Sequence, residues 1–399
     1  MQTLIQLSKI ASPTYESLQK DHRYGITTEW LISAKKSWMD FKWRSVESYI
    51  NSFPQFTYNI EGMTIHFLAL FSQKPNAIPV MLIHGWPGPP LDKNFDTQDI
   101  ARVINQVMIN LGFEKGYIAQ GGDIGAKIGR ILAVDHDACK VNACFMSKPP
   151  EVSDTSISDI EKSGLDRAKL FTSFGTGYLV EQGTRPSTIG NALSTNPLAL
   201  LTWIGEKFVH WVDEPLPLDT ILASVTLYWL TDTFPRSIYH YRESFPPPKL
   251  MPAMDPRWYI NKPLGFSYFP KELVPIPRSW IETTGNMVTG YRPYRVSLTG
   301  LGAYTIRSDK LELLVGAVGM ITTAEQAREI VEQGGNQSEK GPDAEGEAGE
   351  DATYDKNTRQ TMADVVLVAG QFLREPDWVL RVASKLEVGS WWPNQFTRI

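Results

Sequence analysis

The chain of 399 residues has a formal net charge of -5, with 42% hydrophobic and 21% charged residues. This composition is typical of a soluble globular protein, and its charge gives no basis for a nucleic-acid partner. The two cysteines, Cys139 and Cys144, are too few for a disulfide framework, which favours a reducing, cytoplasmic location. No apolar run reaches about 18 residues, so neither a signal peptide nor a membrane span is predicted.

The first predicted elements are helical and are followed by β-structure. Residues 25–50 have apolar side chains at helical spacing and predict two amphipathic helices. The segment after them predicts a β-hairpin with its turn near Glu61-Gly62. A short apolar strand, Val80–Ile83, then leads into the sequence HGWPG at 84–88.

A strand, a turn and a helix later in the chain carry the central candidate residue. Tyr117 to Ala119 predict a strand and residues 126–134 a helix, with Asp123 in the Gly-x-Asp-x-Gly turn between them. Such a turn exposes its central side chain at the end of the strand. A carboxylate there can attack an electrophilic carbon and form an ester that water later hydrolyses. The alternative is that Asp123 only caps the helix, and the turn alone does not decide between them.

The His-Gly run after the earlier strand adds a second feature. In α/β-hydrolase sites such a loop offers one backbone N–H, and the residue after the nucleophile offers another, which together form an oxyanion hole. Here the two donors are predicted to be Trp86 and Ile124. His84 lies at the foot of this loop and is interpreted as structural.

The rest of the chain divides by composition. Residues 151–256 are mostly helical and rich in aromatic side chains, as in an inserted lid, and a new strand is predicted within 263–270. The acidic, glycine-rich segment 333–360 is predicted to be disordered. An apolar strand and a helix are predicted on either side of it, the repeat unit of a parallel α/β sheet or barrel. The predicted boundaries are 1–75, 76–150, 151–256, 257–290, 291–309 and 310–399.

Several motifs, including EWLISAKKSWMDFKWRSVESYINSFPQF, IPVMLIHGWPG, AQGGDIG and FPKELVPIPRSW, occur in one order. Over about residues 20–288 they resemble the microsomal-type and fungal epoxide hydrolases, and residues 1–75 resemble their N-terminal segment. The resemblance implies an α/β-hydrolase fold with a helical lid, a small apolar epoxide as substrate, and no metal or cofactor.

The resemblance also implies roles for individual residues. Asp123 would be the nucleophile, and Tyr178 and Tyr241 the two lid tyrosines that protonate the epoxide oxygen, with Tyr239 a second choice to Tyr241. A phenol suits this task because it stays protonated at neutral pH and can donate to a developing alkoxide. Glu272 in FPKEL matches the acid that orients the catalytic histidine.

The chain departs from this family in three places. The family places its histidine shortly after the acid, but the chain has no histidine after His240. Ester hydrolysis would therefore be impaired. The segment between Gly88 and Asp123 predicts one helix where the family has two helices and a core strand, so one strand of the sheet would be missing. Ile124 replaces the tryptophan usual after the nucleophile.

Residues 310–399 resemble the last two strand-helix units of the old yellow enzymes, which are flavin-dependent NADH or NADPH oxidoreductases. In a complete barrel, backbone near Gly316 to Gly319 would bind the FMN phosphate, and Gly370 stands where an arginine is usual. Two units cannot close a (β/α)₈ barrel, so these positions are interpreted as vestigial and no FMN is expected.

Three hypotheses remain open on the sequence. The first is an impaired epoxide hydrolase. The second is a catalytically inactive relative or a gene-fusion product that keeps the fold, although the retained candidate residues argue for recent loss. The weakest is an FMN-dependent oxidoreductase, which would be yellow when purified. The sequence makes no prediction about oligomeric state.

Overall fold

The structure is a computed structural model, and its N-terminal part agrees with the predicted elements. It describes residues 1–71, 77–86, 94–136, 139–142, 146, 148–153, 156–212, 215–246, 255–266 and 268–287, together with the backbone of short strands at 302–304, 316–318 and 365–367. The chain begins with helices α1 (Gln2–Leu7), α2 (Thr28–Asp40) and α3 (Trp43–Ile50). The last two are the predicted amphipathic pair.

The predicted hairpin is present at the expected turn. Strands β1 (Gln55–Ile60) and β2 (Met63–Leu68) pair antiparallel, with Ile60 opposite Met63. Both turn residues have positive φ, 53° at Glu61 and 76° at Gly62. Two positive φ values are typical of the tight turn whose twist matches that of paired strands.

A five-stranded parallel sheet forms the centre of the described fold. In spatial order its strands are β3 (Val80–Ile83), β4 (Tyr117–Gly121), β5 (Cys139–Asn142), β6 (Ile260–Gly265) and β7 (Gly285–Met287). Helix α4 (Thr97–Asn110) connects β3 to β4, and α5 (Ile124–Asp135) connects β4 to β5. Apolar side chains of both helices pack against β4 in one buried cluster, as parallel sheets require.

Two sequence predictions about this sheet can be compared with it. The strand predicted within 263–270 is shifted, because β6 spans Ile260–Gly265. Pro263 lies inside β6, at the point where the pairing of β6 with β7 changes register. Proline is unusual inside a strand because it has no N–H, so the sequence pattern placed the start of the strand at this residue. Among the described residues between β3 and β4, α4 is the one helix, as the sequence predicts. Among the described residues β3 is an edge strand, and the β1–β2 hairpin forms a separate sheet.

The predicted lid is helical. Its helices are α6 (Asp159–Phe174), α7 (Gly177–Thr184), α8 (Pro186–Ser194), α9 (Pro197–His210), α10 (Leu218–Thr231) and α11 (Phe234–Ser237). A 3₁₀ helix, Tyr239–Ser244, follows α11, and α12 (Arg278–Ile281) precedes the last strand of the sheet. The lid has its own buried cluster, which includes Leu201, Leu222 and Phe234 and extends to Trp38 of α2. The N-terminal segment is therefore packed against the lid.

Three short strands lie beyond the sheet. They are β8 (Gly302–Tyr304), β9 (Gly316–Val318) and β10 (Val365–Leu367), with β9 parallel to β10 and antiparallel to β8. The last two fall where strands are predicted in 310–399. The predicted helices of this segment and its disordered insert 333–360 lie outside the described residues. In the part of the chain that is described, no helix has the length and apolar character needed to cross a membrane.

Candidate active site

The turn between β4 and α5 holds Asp123 in an unusual backbone conformation. Its φ of 53° and ψ of -126° lie outside the regions that residues with a side chain normally adopt. The side chain makes no capping hydrogen bond to α5, so no such contact supports the alternative that Asp123 only caps this helix. The glycines that flank the turn are required because there is no room for a side chain at either position. A Cβ on Gly121 would overlap the carbonyl oxygen of Gly125, and one on Gly125 would overlap that of Ile83.

The Asp123 carboxylate is instead held by backbone donors. The N–H of Trp86 donates to its Oδ2 at 2.6 Å, and the N–H of Ile124, the next residue, contributes to the electrostatic environment of the carboxylate. Burial raises the pKa of Asp123 above its ordinary value, while these two N–H groups and His84 act in the opposite direction. Gly85 allows the loop after β3 to approach the turn after β4 closely, because a Cβ on Gly85 would lie 2.8 Å from Asp123 Oδ2. The two predicted donors are thus both placed at the predicted nucleophile.

Two lid tyrosines lie together near this carboxylate. Tyr178 is in the first turn of α7 and Tyr241 is in the 3₁₀ helix. Their ring centroids are 5.8 Å apart with the planes at 86°. Burial, with a further contribution from the charge of Asp123, raises the pKa of Tyr178 to about 12. Burial likewise raises the pKa of Tyr241, to which the charges of Tyr178 and Asp123 add. Both phenols therefore keep their protons at neutral pH.

Tyr178 also lies in an aromatic cluster with a cation. The Lys207 ammonium is 5.1 Å from the centroid of its ring and 4.7 Å from that of Trp203, and Lys207 pairs with Glu206. The ring of Trp211 is 4.9 Å from that of Tyr178. Neighbours on several sides thus fix the ring of Tyr178.

Glu272, the predicted orienting acid, lies within electrostatic reach of the same site. Burial raises the pKa of Glu272, and the charge of Asp123 raises it further, whereas Arg167 lowers it. Its Oε1 accepts a hydrogen bond from the backbone N–H of Leu273 at 2.9 Å. The structure thus brings Asp123, Tyr178, Tyr241 and Glu272 into one electrostatically coupled group.

The histidines near this group do not resemble a catalytic base. His84 is exposed, and its Nδ1 lies 2.8 Å from the carbonyl oxygen of Gly85. His240 lies beside Tyr241, with 4.2 Å between ring centroids. Burial lowers the pKa of His240 to about 3, and the charge of Lys127 contributes to this. An imidazole with so low a pKa is too weak a base to activate water.

Two contacts at the site were not predicted from the sequence. The Trp86 ring packs against the lid, 5.3 Å from the ring of Tyr228 and 6.2 Å from that of Phe234. Glu243, two residues after Tyr241, bonds to Thr97 and Lys127 in the core. The high aromatic content of the lid was a signal for the Trp86 contacts, whereas no sequence signal pointed to Glu243, because its partners are far away in the chain.

The predicted vestigial flavin positions lie in the last part of the chain. Gly316 is the first residue of β9, whereas Gly319 and Gly370 lie outside the described residues. No group of three or more His, Cys, Asp and Glu side chains among the described residues is placed to hold a metal ion.

Comparison with known proteins gives consistent likenesses. The family profile Epoxide hydrolase N terminus matches residues 1–92. The structure of an Aspergillus niger epoxide hydrolase is 49% identical, covers 74% of this chain and 86% of its own, and superposes with a TM-score of 0.69. A Dothistroma septosporum relative that bears the name of an epoxide hydrolase is 37% identical over 341 residues, 72% of this chain and 79% of the relative. The juvenile hormone epoxide hydrolase of Bombyx mori is 20% identical with a TM-score of 0.62, over 74% of this chain and 85% of its own, which shows the α/β-hydrolase fold alone.

Proposed function

The chain belongs to the epoxide hydrolase family, and we propose that it opens small apolar epoxides by forming a covalent ester on Asp123. The observation that carries the proposal is the Asp123 carboxylate itself, which a strained turn places at the end of β4 and which the Trp86 N–H holds. A residue held in so rare a conformation marks a functional site when its neighbours impose that conformation.

In the first step one carboxylate oxygen attacks an epoxide carbon. The carbon–oxygen bond of the ring breaks, and the released oxygen takes a proton from Tyr178 or Tyr241, which gives a hydroxyalkyl ester and a phenolate that the other tyrosine stabilises. Because Trp86 already binds Oδ2, that oxygen becomes the carbonyl of the ester. Oδ1 is then the atom that attacks.

In the second step water adds to the carboxyl carbon of the ester. Negative charge then develops on Oδ2, where the N–H groups of Trp86 and Ile124 can stabilise it. The bond from this carbon to Oδ1 breaks, and the diol leaves with Oδ1 in one of its hydroxyl groups, while the water oxygen takes the place of Oδ1 in the carboxylate. One proton of the water goes to that hydroxyl group and the other returns to the phenolate. The step needs a base for the water, and the chain has no histidine after His240. We therefore propose that the ester forms readily and hydrolyses slowly. This chemistry uses protein side chains alone.

The test is intact-mass spectrometry of the purified protein after incubation with styrene oxide. The expected result is a gain of one substrate mass on the wild type and none on Asp123→Asn, whose amide is a poor nucleophile. Digestion would place the adduct on the peptide that contains Asp123. Absence of both adduct and diol in the wild type would overturn the proposal and favour the catalytically inactive relative.

Turnover can be measured separately from ester formation. Hydrolysis in water enriched in ¹⁸O places the label in the carboxylate of Asp123, because water attacks the carboxyl carbon and not the substrate. Slow label uptake, on the time scale of adduct loss, is the expected result. Rapid diol release without label in Asp123 would refute the ester mechanism. A flavin absorbance in the purified protein would revive the oxidoreductase hypothesis.

A further inference from the structure

Glu243 joins the lid to two core helices through one carboxylate. Its Oε1 accepts from the backbone N–H of Thr97 at 3.0 Å, and its Oε2 accepts from the Thr97 hydroxyl at 2.8 Å. The same Oε2 lies 2.6 Å from Nζ of Lys127. The side chain of Glu243 is 18% exposed, so this contact is largely shielded from solvent.

The three elements that meet here carry the candidate chemistry. Glu243 follows Tyr241 by two positions in the same short 3₁₀ helix, so the two side chains share one turn of backbone. Lys127 follows Asp123 by four positions and lies about one turn into α5. A single carboxylate therefore connects the turn that carries a lid tyrosine to the helix that follows the nucleophile.

Within the described residues, one donor in the first turn of α4 has Glu243 as its partner. Asp96 accepts from the N–H groups of Gln98 and Asp99, and its carbonyl oxygen accepts from that of Ile100. The N–H of Thr97 remains, and Glu243 takes it. A carboxylate at a helix N-terminus is also favoured by the helix dipole. The core thus has a ready position for this one lid side chain.

We propose that Glu243 is a positioning residue, which holds Tyr241 over Asp123 by tying the lid turn to α4 and α5. It touches neither the substrate nor the reacting atoms and acts through Tyr241. The proposal deepens the function given above and rests on it for its kinetic test. Its structural test does not depend on that function.

The kinetic test compares the rate of Asp123 alkylation by styrene oxide in three variants. Glu243→Gln keeps an acceptor for Thr97 but loses the charge that pairs with Lys127, and a loss of about 10-fold to 100-fold is expected if Tyr241 shifts by a sizeable part of 1 Å. In a Tyr241→Phe background the same substitution should cost nothing further. Glu61→Gln is the matched control, because Glu61 pairs with Arg102 of α4 without contacting the lid. It should react at the wild-type rate.

The structural test measures amide hydrogen exchange over residues 239–245. Glu243→Gln should exchange faster there than the wild type, and Glu61→Gln should not. Unchanged exchange would overturn the proposal, as would an equal loss of rate with and without the Tyr241 hydroxyl, since that result indicates a general structural effect. If the wild type forms no adduct, the proposed function fails, and hydrogen exchange still decides whether Glu243 fixes this turn.

Discussion

Gly125→Ala tests whether the tight turn is what makes Asp123 reactive. A Cβ at this position would overlap the carbonyl oxygen of Ile83 and lie 2.8 Å from that of His84, against an ordinary contact of about 3.4 Å. Because a Cβ would lie 2.4 Å from the Ile83 oxygen, the end of β3 must move by about 1.0 Å relative to the start of α5. Because Trp86 lies only three residues after the end of β3, its N–H would move away from Asp123 Oδ2.

Two magnitudes follow from this displacement. Overpacking of this kind costs about 1–3 kcal/mol of stability. A misplacement approaching 1 Å at a reacting group can cost about 100-fold in rate. We therefore expect Gly125→Ala to fold with a lowered unfolding midpoint and to be alkylated by styrene oxide on the order of 100-fold more slowly than the wild type.

Gly122→Ala is the control for this experiment. Gly122 lies in the same turn, but a Cβ there meets nothing within 4 Å. Both variants would be compared by thermal unfolding and by the rate of adduct formation. If Gly125→Ala kept the rate and stability of Gly122→Ala, close packing of the turn would not be what holds Asp123 in place.

Three further outcomes are expected. Because burial raises the pKa of Asp123 and the proposed mechanism needs its ionised form, the single-turnover alkylation rate should reach a plateau above this raised pKa and fall as the pH drops through it. A midpoint at or below about 3.9, the ordinary value, would contradict this. Tyr178→Phe and Tyr241→Phe should each slow alkylation by about 100-fold or more without changing the unfolding midpoint, and a wild-type rate in both would exclude the phenols as acids. Arg130 is 4% exposed and donates to the Thr284 carbonyl and hydroxyl at 3.1 and 3.0 Å, so Arg130→Met should lower the free energy of unfolding in urea by about 3 kcal/mol, and a change below about 1 kcal/mol would show that these acceptors find other donors.

Local sequence signals predicted the central elements well. Strand Val80–Ile83 was predicted with the bounds that the structure has, because it is short, apolar and ended by glycine and proline. The hairpin turn at Glu61-Gly62 and the strand-turn-helix around Asp123 were equally local features. The strand at Ile260–Gly265 was misplaced because its proline lies inside a strand and hides the pattern.

The site as a whole could not be predicted from spacing. Tyr178 and Tyr241 were found by resemblance, since nothing in their surroundings distinguishes them from other lid tyrosines. Glu243 and its partner Thr97 are separated by 146 positions. Contacts of this kind depend on how the lid docks on the core, which no local pattern records.

The position of Trp86 affects how a substrate can reach Asp123. Its N–H donates to Oδ2 of Asp123, while its ring is packed among lid rings at Tyr228 and Phe234. A large outward movement of the lid would either break the contacts between these rings and the Trp86 indole or pull the Trp86 N–H away from Asp123. In the proposed mechanism, lid closure and the placement of the two oxyanion donors are therefore linked. Full opening would move the Trp86 N–H away from Asp123, and closure would bring it back. Substrates small enough to pass a partly closed lid would not require these contacts to break. The lid would therefore select substrates by size before the reaction begins.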